Sequence, residues 1–288
     1  MTQRSMWRRI VDFPLVAMVI GVLVIVIGLT LAGAIAKFAV PGAAVASLSY
    51  QTVFYLVAIP VLLLLYVFVI AKLGRRPRND LRDSKAIQRG LIGLAAGGLI
   101  FSAVVAVAAA MGVYRIVGPG DTSGMVAALL GSALFPAISE EMLFRGVLFR
   151  WLEEFGGSWV ALILTSAFFG AGHLLNPNAS TIAAVGIAVE AGVMLGAAYM
   201  LTRSLWLPMG IHAAWNFTQG EIYDIPVSGM PVHGVVDARL CCNPLLTGNG
   251  FGLEASLIAM IIATLFGLWL LWLAIKRGEL RRPMWTQG

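Results

Sequence analysis

Eight apolar segments, separated by short polar breaks, fill most of this chain. They lie roughly at residues 13–37, 51–72, 90–114, 123–149, 158–175, 180–202, 204–222 and 252–275. About 20 consecutive apolar residues carry an α-helix across the hydrocarbon core of a bilayer, and most of the segments meet that length. The fourth carries charge within it, and the fifth and seventh are short and marked by polar residues. Composition agrees. Hydrophobic residues make up 59% of the 288 positions and charged residues 12%, against about 45–50% and about 25% in soluble domains. The mean hydropathy is +0.89. The expected fold is all-α, a polytopic transmembrane helix bundle of about eight spans.

The distribution of Lys and Arg sets an expected orientation, because cytoplasmic loops carry the excess of positive charge. With eight spans and the N-terminus inside, seventeen of the twenty basic residues fall on the cytoplasmic side. Only Lys37, Arg115 and Arg239 remain outside. Both termini and the charged 73–89 loop are then cytoplasmic, as in the plasma or inner membrane of a bacterial cell. The 223–251 connection, dense in Gly and Pro, reads as an irregular outer loop. The first apolar run is too long for the core of a cleaved signal and is read as a retained span. The net charge of +6 follows from this orientation. No nucleic-acid partner is expected, since no basic fold signature accompanies the charge. Adjacent Cys241 and Cys242 are too few for a disulfide framework and read as loop thiols.

Ionisable residues inside a membrane are costly and usually mark function. Here they cluster in three spans. The fourth holds Glu140, Glu141 and Arg145. Adjacent helical residues point about 100° apart, so the two carboxylates face different neighbours. Glu141 and Arg145, four apart, share a face and can neutralise each other; this pair reads as structural support. Glu140 has no basic residue at that spacing and is left as the free carboxylate. The fifth span holds Phe169 and His173 on one face, with Gly170 and Gly172 permitting close helix approach. The seventh holds His212 and Asn216, one turn apart. Any one such His or Asn is often only an interhelical hydrogen bond, worth about 0.6 kcal/mol. The case for a site rests on the set.

Together these residues resemble the CAAX protease and bacteriocin-processing (CPBP, or Abi) family, which includes the type II CAAX prenyl endopeptidases. Its motifs E-E-x-x-x-R, F-x-x-x-H and H-x-x-x-N appear in order as Glu140-Glu141 to Arg145, Phe169 to His173, and His212 to Asn216. The stretch from Thr202 to Pro208 also looks like the family. The resemblance covers roughly 125–222, so the chain divides into N-terminal transmembrane helices (1–122), a catalytic core (123–222), and an outer loop with the last helix (223–288). It implies an intramembrane endopeptidase acting on a peptide or membrane-protein substrate, of the CAAX type or in leader-peptide processing.

The residue chemistry agrees with that implication. A carboxylate within about 2.6–3.2 Å of a water can act as its general base. Glu140 is expected in that role, His173 as its partner in holding the water, and His212 and Asn216 as donors to the oxyanion. Ser139 has no His in register and is a poor nucleophile. No cofactor is expected. The rival within enzymes is a zinc protease with Glu140, His173 and His212 as ligands and one open position, although no H-E-x-x-H stands in the chain. The rival outside enzymes is a transporter or a partner-binding protein, which would recruit the further intramembrane carboxylate Glu190. Transporters commonly carry paired repeats, and none is visible here.

Overall fold

The computed structural model describes residues 5–75 and 77–286; Arg4 and Arg76, counted above for orientation, lie outside them. The protein is an integral membrane bundle of α-helices. Among the described residues, six helices are long and apolar enough to cross a bilayer: Pro14–Ala39, Leu48–Lys72, Ala86–Ala110, Met125–Leu175, Thr181–Thr202 and Leu257–Lys276.

Six helices account for seven of the eight expected segments. The helical run Met125–Leu175 is 51 residues long and is broken at Gly157, whose φ of 83° and ψ of 170° are not helical. The chain folds back there. Phe169, twelve residues beyond the break, packs edge-on against Phe144, thirteen residues before it, with ring centroids 5.0 Å apart. A left-handed φ favours glycine, and the site is also crowded: an added Cβ would press on the Arg281 carbonyl and the Pro283 ring. The remaining segment, Trp206–Phe217 with its extension Thr218–Ile222, is the short one that the sequence marked.

Small residues let these helices approach closely, the usual device where lipid removes the hydrophobic drive for association. Gly93 and Gly97 face Gly210 and the backbone of Ile211, and any Cβ there would collide with main-chain atoms. Gly170 packs against Ala184 and Ala188 in the same way, as expected. Gly172 does not: an added Cβ would meet open space, so that glycine serves no helix contact.

The 223–251 connection departs from the irregular loop expected of it. Val236–Leu240 (β2) pairs antiparallel with Tyr114–Pro119 (β1), with a bulge between Ile116 and Gly118. The reason is tertiary. The end of Ala86–Ala110 and the end of the Trp206–Ile222 run emerge side by side, so two extended segments meet and pair their backbone groups. Tyr114 Oη donates to the Tyr223 carbonyl at 3.1 Å and locks the two exits together.

The bundle has two distinct ends. At one, Arg203 bridges Glu153 at 2.6 Å and Glu279 at 2.9 Å. Arg150 donates to the carbonyls of Leu73 and Arg78, Leu205 N–H donates to the Asp80 carbonyl, and Phe13 packs on Phe155. This end carries the chain's N- and C-terminal regions and the 73–85 loop. The other end carries the β-ladder, the 176–180 turn and the 223–256 connection, tied together by Asn178 Nδ2 donating to the Gly229 and Gly250 carbonyls.

Candidate active site

Four side chains singled out in the sequence, Glu140, His173, His212 and Asn216, line one cavity of about 460 Å³. Its walls also include Tyr55 and Ser132, and it reaches the loop residues Met230 to His233.

Local helix distortion places them. Phe135–Glu141 is a single α-helical stretch between two π-helical ones, Leu129–Leu134 and Met142–Phe149. Two more π-helical turns, Ala188–Gly192 and Thr218–Ile222, hold Glu190 and follow Asn216. Such turns occur mostly as single insertions and often at functional sites. Pro136 contributes a specific gap. Proline has no N–H, so the Ser132 carbonyl four residues earlier lacks its α-helical donor. Asn216 Nδ2 donates to that carbonyl at 2.9 Å. That bond fixes the carboxamide of one helix on the backbone of another, and one of the two Nδ2 hydrogens remains for the cavity.

The neighbouring carboxylates separate as their helical angle requires. Glu141 turns inward and is fully buried. Its Oε1 accepts from Arg145 Nη1 at 2.8 Å, with both side chains sealed from solvent. Arg145 Nη2 also donates to the Gly192 carbonyl at 3.2 Å, and its guanidinium lies 4.8 Å from the centroid of the Phe169 ring. Glu141 has a second duty that sequence spacing did not reveal: His212 Nδ1 stands 3.0 Å from the same Oε1. An ionised carboxylate only accepts, so Nδ1 carries the proton there. His212 Nε2 points on toward Glu140, 4.0 Å from its Oε2.

Glu140 is one-third exposed in its side chain, on the cavity wall. Its buried Oε2 has no hydrogen-bond partner among the described residues. His173 Nδ1 stands 2.7 Å from the Phe169 carbonyl, which makes Nδ1 the protonated nitrogen and leaves Nε2 with a lone pair. The Phe169 and His173 rings lie 4.8 Å apart, and Phe169 also flanks His212 at 6.1 Å. Phe169 thus spaces the two imidazoles. Ser139 Oγ donates to the Phe135 carbonyl at 2.7 Å and is occupied within its own helix. Among the described residues, no group of three His, Cys, Asp or Glu side chains is placed to hold a metal ion.

Behind the site lies a smaller space bounded by Phe169, His173, His212, Glu190, Ser228 and Glu254. Among the described residues, neither oxygen of the buried Glu190 has a hydrogen-bond partner. Glu254 is the residue that sequence reading missed. It stands at the very start of the last apolar segment, and only the fold returns the 223–256 connection over the site, where the Ser228 N–H donates to its carboxylate. Burial pushes the Glu254 carboxyl above its ordinary range, against the opposing pull of His173 and of Ser228.

Comparison with curated proteins and with solved structures returned no match to this chain. A family model does match, over residues 122–218, and that stretch contains Glu140, Glu141, Arg145, Phe169, His173, His212 and Asn216. The matching model describes the type II CAAX prenyl endopeptidase Rce1-like family, in agreement with the resemblance carried by the three motifs, and the matched stretch supplies much of the cavity wall.

Proposed function

We propose that this protein is an intramembrane endopeptidase in which Glu140 activates a water for attack on a peptide carbonyl. One observation carries the reading: the Glu140 carboxylate lacks a hydrogen-bond partner on its buried oxygen and shares a cavity with two imidazoles whose Nδ1 atoms are already committed. Those commitments fix what each ring offers. His173 presents a bare Nε2, an acceptor for one hydrogen of the water that Glu140 deprotonates. His212 donates to Glu141 through Nδ1, so it can donate to an oxyanion through Nε2 only as the imidazolium. The second Nδ2 hydrogen of Asn216 supplies the other oxyanion contact. The water oxygen bonds to the carbonyl carbon while its proton passes to Glu140. Collapse of the tetrahedral intermediate breaks the C–N bond, and Glu140 returns the proton to the leaving amine.

The direct test compares membrane fractions from cells carrying the wild-type chain and Glu140→Ala, looking for peptide termini that depend on Glu140. Identical termini in both would overturn the reading. Replacing either oxyanion donor is expected to slow turnover of a cleavable peptide by about 10²–10³. His212→Ala and Asn216→Ala should therefore fall together in kcat with smaller changes in KM. A variant that lost only KM would be acting on substrate binding.

Activity is also expected to survive dialysis against a strong chelator. In this mechanism the carboxylate alone activates the water, and His212 works as a donor where zinc would need it deprotonated. Stoichiometric zinc by elemental analysis, with activity lost on chelation and restored by zinc, would replace this mechanism with the metal-dependent one on the same residues.

A further inference from the structure

We infer that the catalytic cavity opens away from the cytoplasm, and that its substrate is an extracytoplasmic stretch of an exported or membrane-anchored polypeptide. The inference rests on the endopeptidase reading above for the word substrate, and on the architecture for the side.

The cavity reaches only one end of the bundle. Its mouth is bounded by Leu48 and Gln51 at the start of one long helix, by Gly124 before another, and by Met230 and His233 of the 223–256 connection. All of these belong to the end with the β-ladder. The opposite end, where Arg203 ties Glu153 to Glu279, carries the positive charge. Arg8, Arg9, Lys72, Arg75, Arg78, Arg82, Lys85, Arg89, Arg150, Lys276, Arg277, Arg281 and Arg282 sit in its loops and helix termini. At the cavity end the basic residues are Lys37, Arg115 and Arg239. Every connection is short enough for the positive-inside bias to act on it. The basic end is therefore cytoplasmic and the cavity end is not.

The lining defines the peptide. Glu140 and Glu221 are its acidic groups, and among the described residues no Lys or Arg lines it. A substrate carboxylate finds no guanidinium or ammonium partner there, so an internal bond in an uncharged or basic stretch suits the site better than the last bonds of a chain. Leu48, Tyr55, Met230 and Val232 offer apolar contact on the way in.

The chain's own thiols test the side without altering the core. Cys241 and Cys242 follow β2 at the cavity end, Cys242 is exposed, and the sequence has no other cysteine. A membrane-impermeant maleimide should label Cys242 in intact cells, and Cys241→Ser/Cys242→Ser should abolish that signal. Lys85→Cys in the cysteine-free chain should label only after permeabilisation. Labelling with the opposite pattern overturns the inference and leaves the endopeptidase reading standing. The second arm maps the new N-termini that disappear in Glu140→Gln. Termini in extracytoplasmic segments support the inference, and termini confined to cytoplasmic segments overturn it. If no terminus depends on Glu140 while Cys242 labels from outside, the endopeptidase reading fails, and the proposed substrate with it.

Discussion

Glu140→Gln is expected to lower peptide hydrolysis by at least about 10²–10⁴, the usual contribution of a positioned general base, and to leave the fold intact. The replacement keeps the shape of the side chain and removes its ability to take a proton. It should cost little stability, because the Glu140 side chain is one-third exposed and its buried oxygen forms no hydrogen bond to be lost. The measurement is turnover of a cleaved peptide by purified protein in detergent, beside a thermal melt of the same preparation. A variant that melts like wild type and retains full turnover would remove Glu140 as the base. Glu140→Asp is the informative companion. It keeps the charge but draws it back by one methylene, so partial activity is expected if distance to the water is what matters.

Arg145→Ala should act through stability first. Removing one member of a buried pair strands the other, at a cost of about 3–5 kcal/mol. Here Glu141 would be left fully buried, keeping only its contact with His212. The Gly192 carbonyl, whose π-helical turn holds Glu190, would also lose the donor that Arg145 supplies. A large drop in melting temperature in detergent is the expected result. Glu141→Gln/Arg145→Met leaves no stranded charge and should melt above either single alanine variant. Its turnover should nevertheless remain low, because the contact that orients His212 is changed. Melting like wild type for Arg145→Ala, with activity lost, would instead give the guanidinium a direct part in the chemistry. The structural role assigned to this pair thus extends into the site: one carboxylate both neutralises the buried guanidinium and holds the Nδ1 proton of His212.

Much of this was legible from period and polarity. Apolar runs of bilayer length dictate helices whatever their partners are, so the architecture follows from local sequence. Residues four apart share a helix face by geometry alone, which is why the Glu141–Arg145 pair and the freedom of Glu140 could be read before any contact was known. Residues separated by a whole span are different, because their meeting depends on how helices pack. The Glu141–His212 contact, the Asn216 bond to the Ser132 carbonyl, and the return of Glu254 over the site all join distant segments, and no spacing rule reaches them. The break between the fourth and fifth segments was legible as a polar interruption, while the point of reversal, Gly157, is set by its positive φ. The β-ladder had only a weak signal: β2 alternates over five residues while β1 does not, and the pair exists because two helix ends bring its strands together. Charge counting fixed which end of the bundle is basic, since loop composition is local. Only the tertiary structure decided that the candidate cavity opens at the other end, because that depends on where the helices carrying Glu140, His173 and His212 converge.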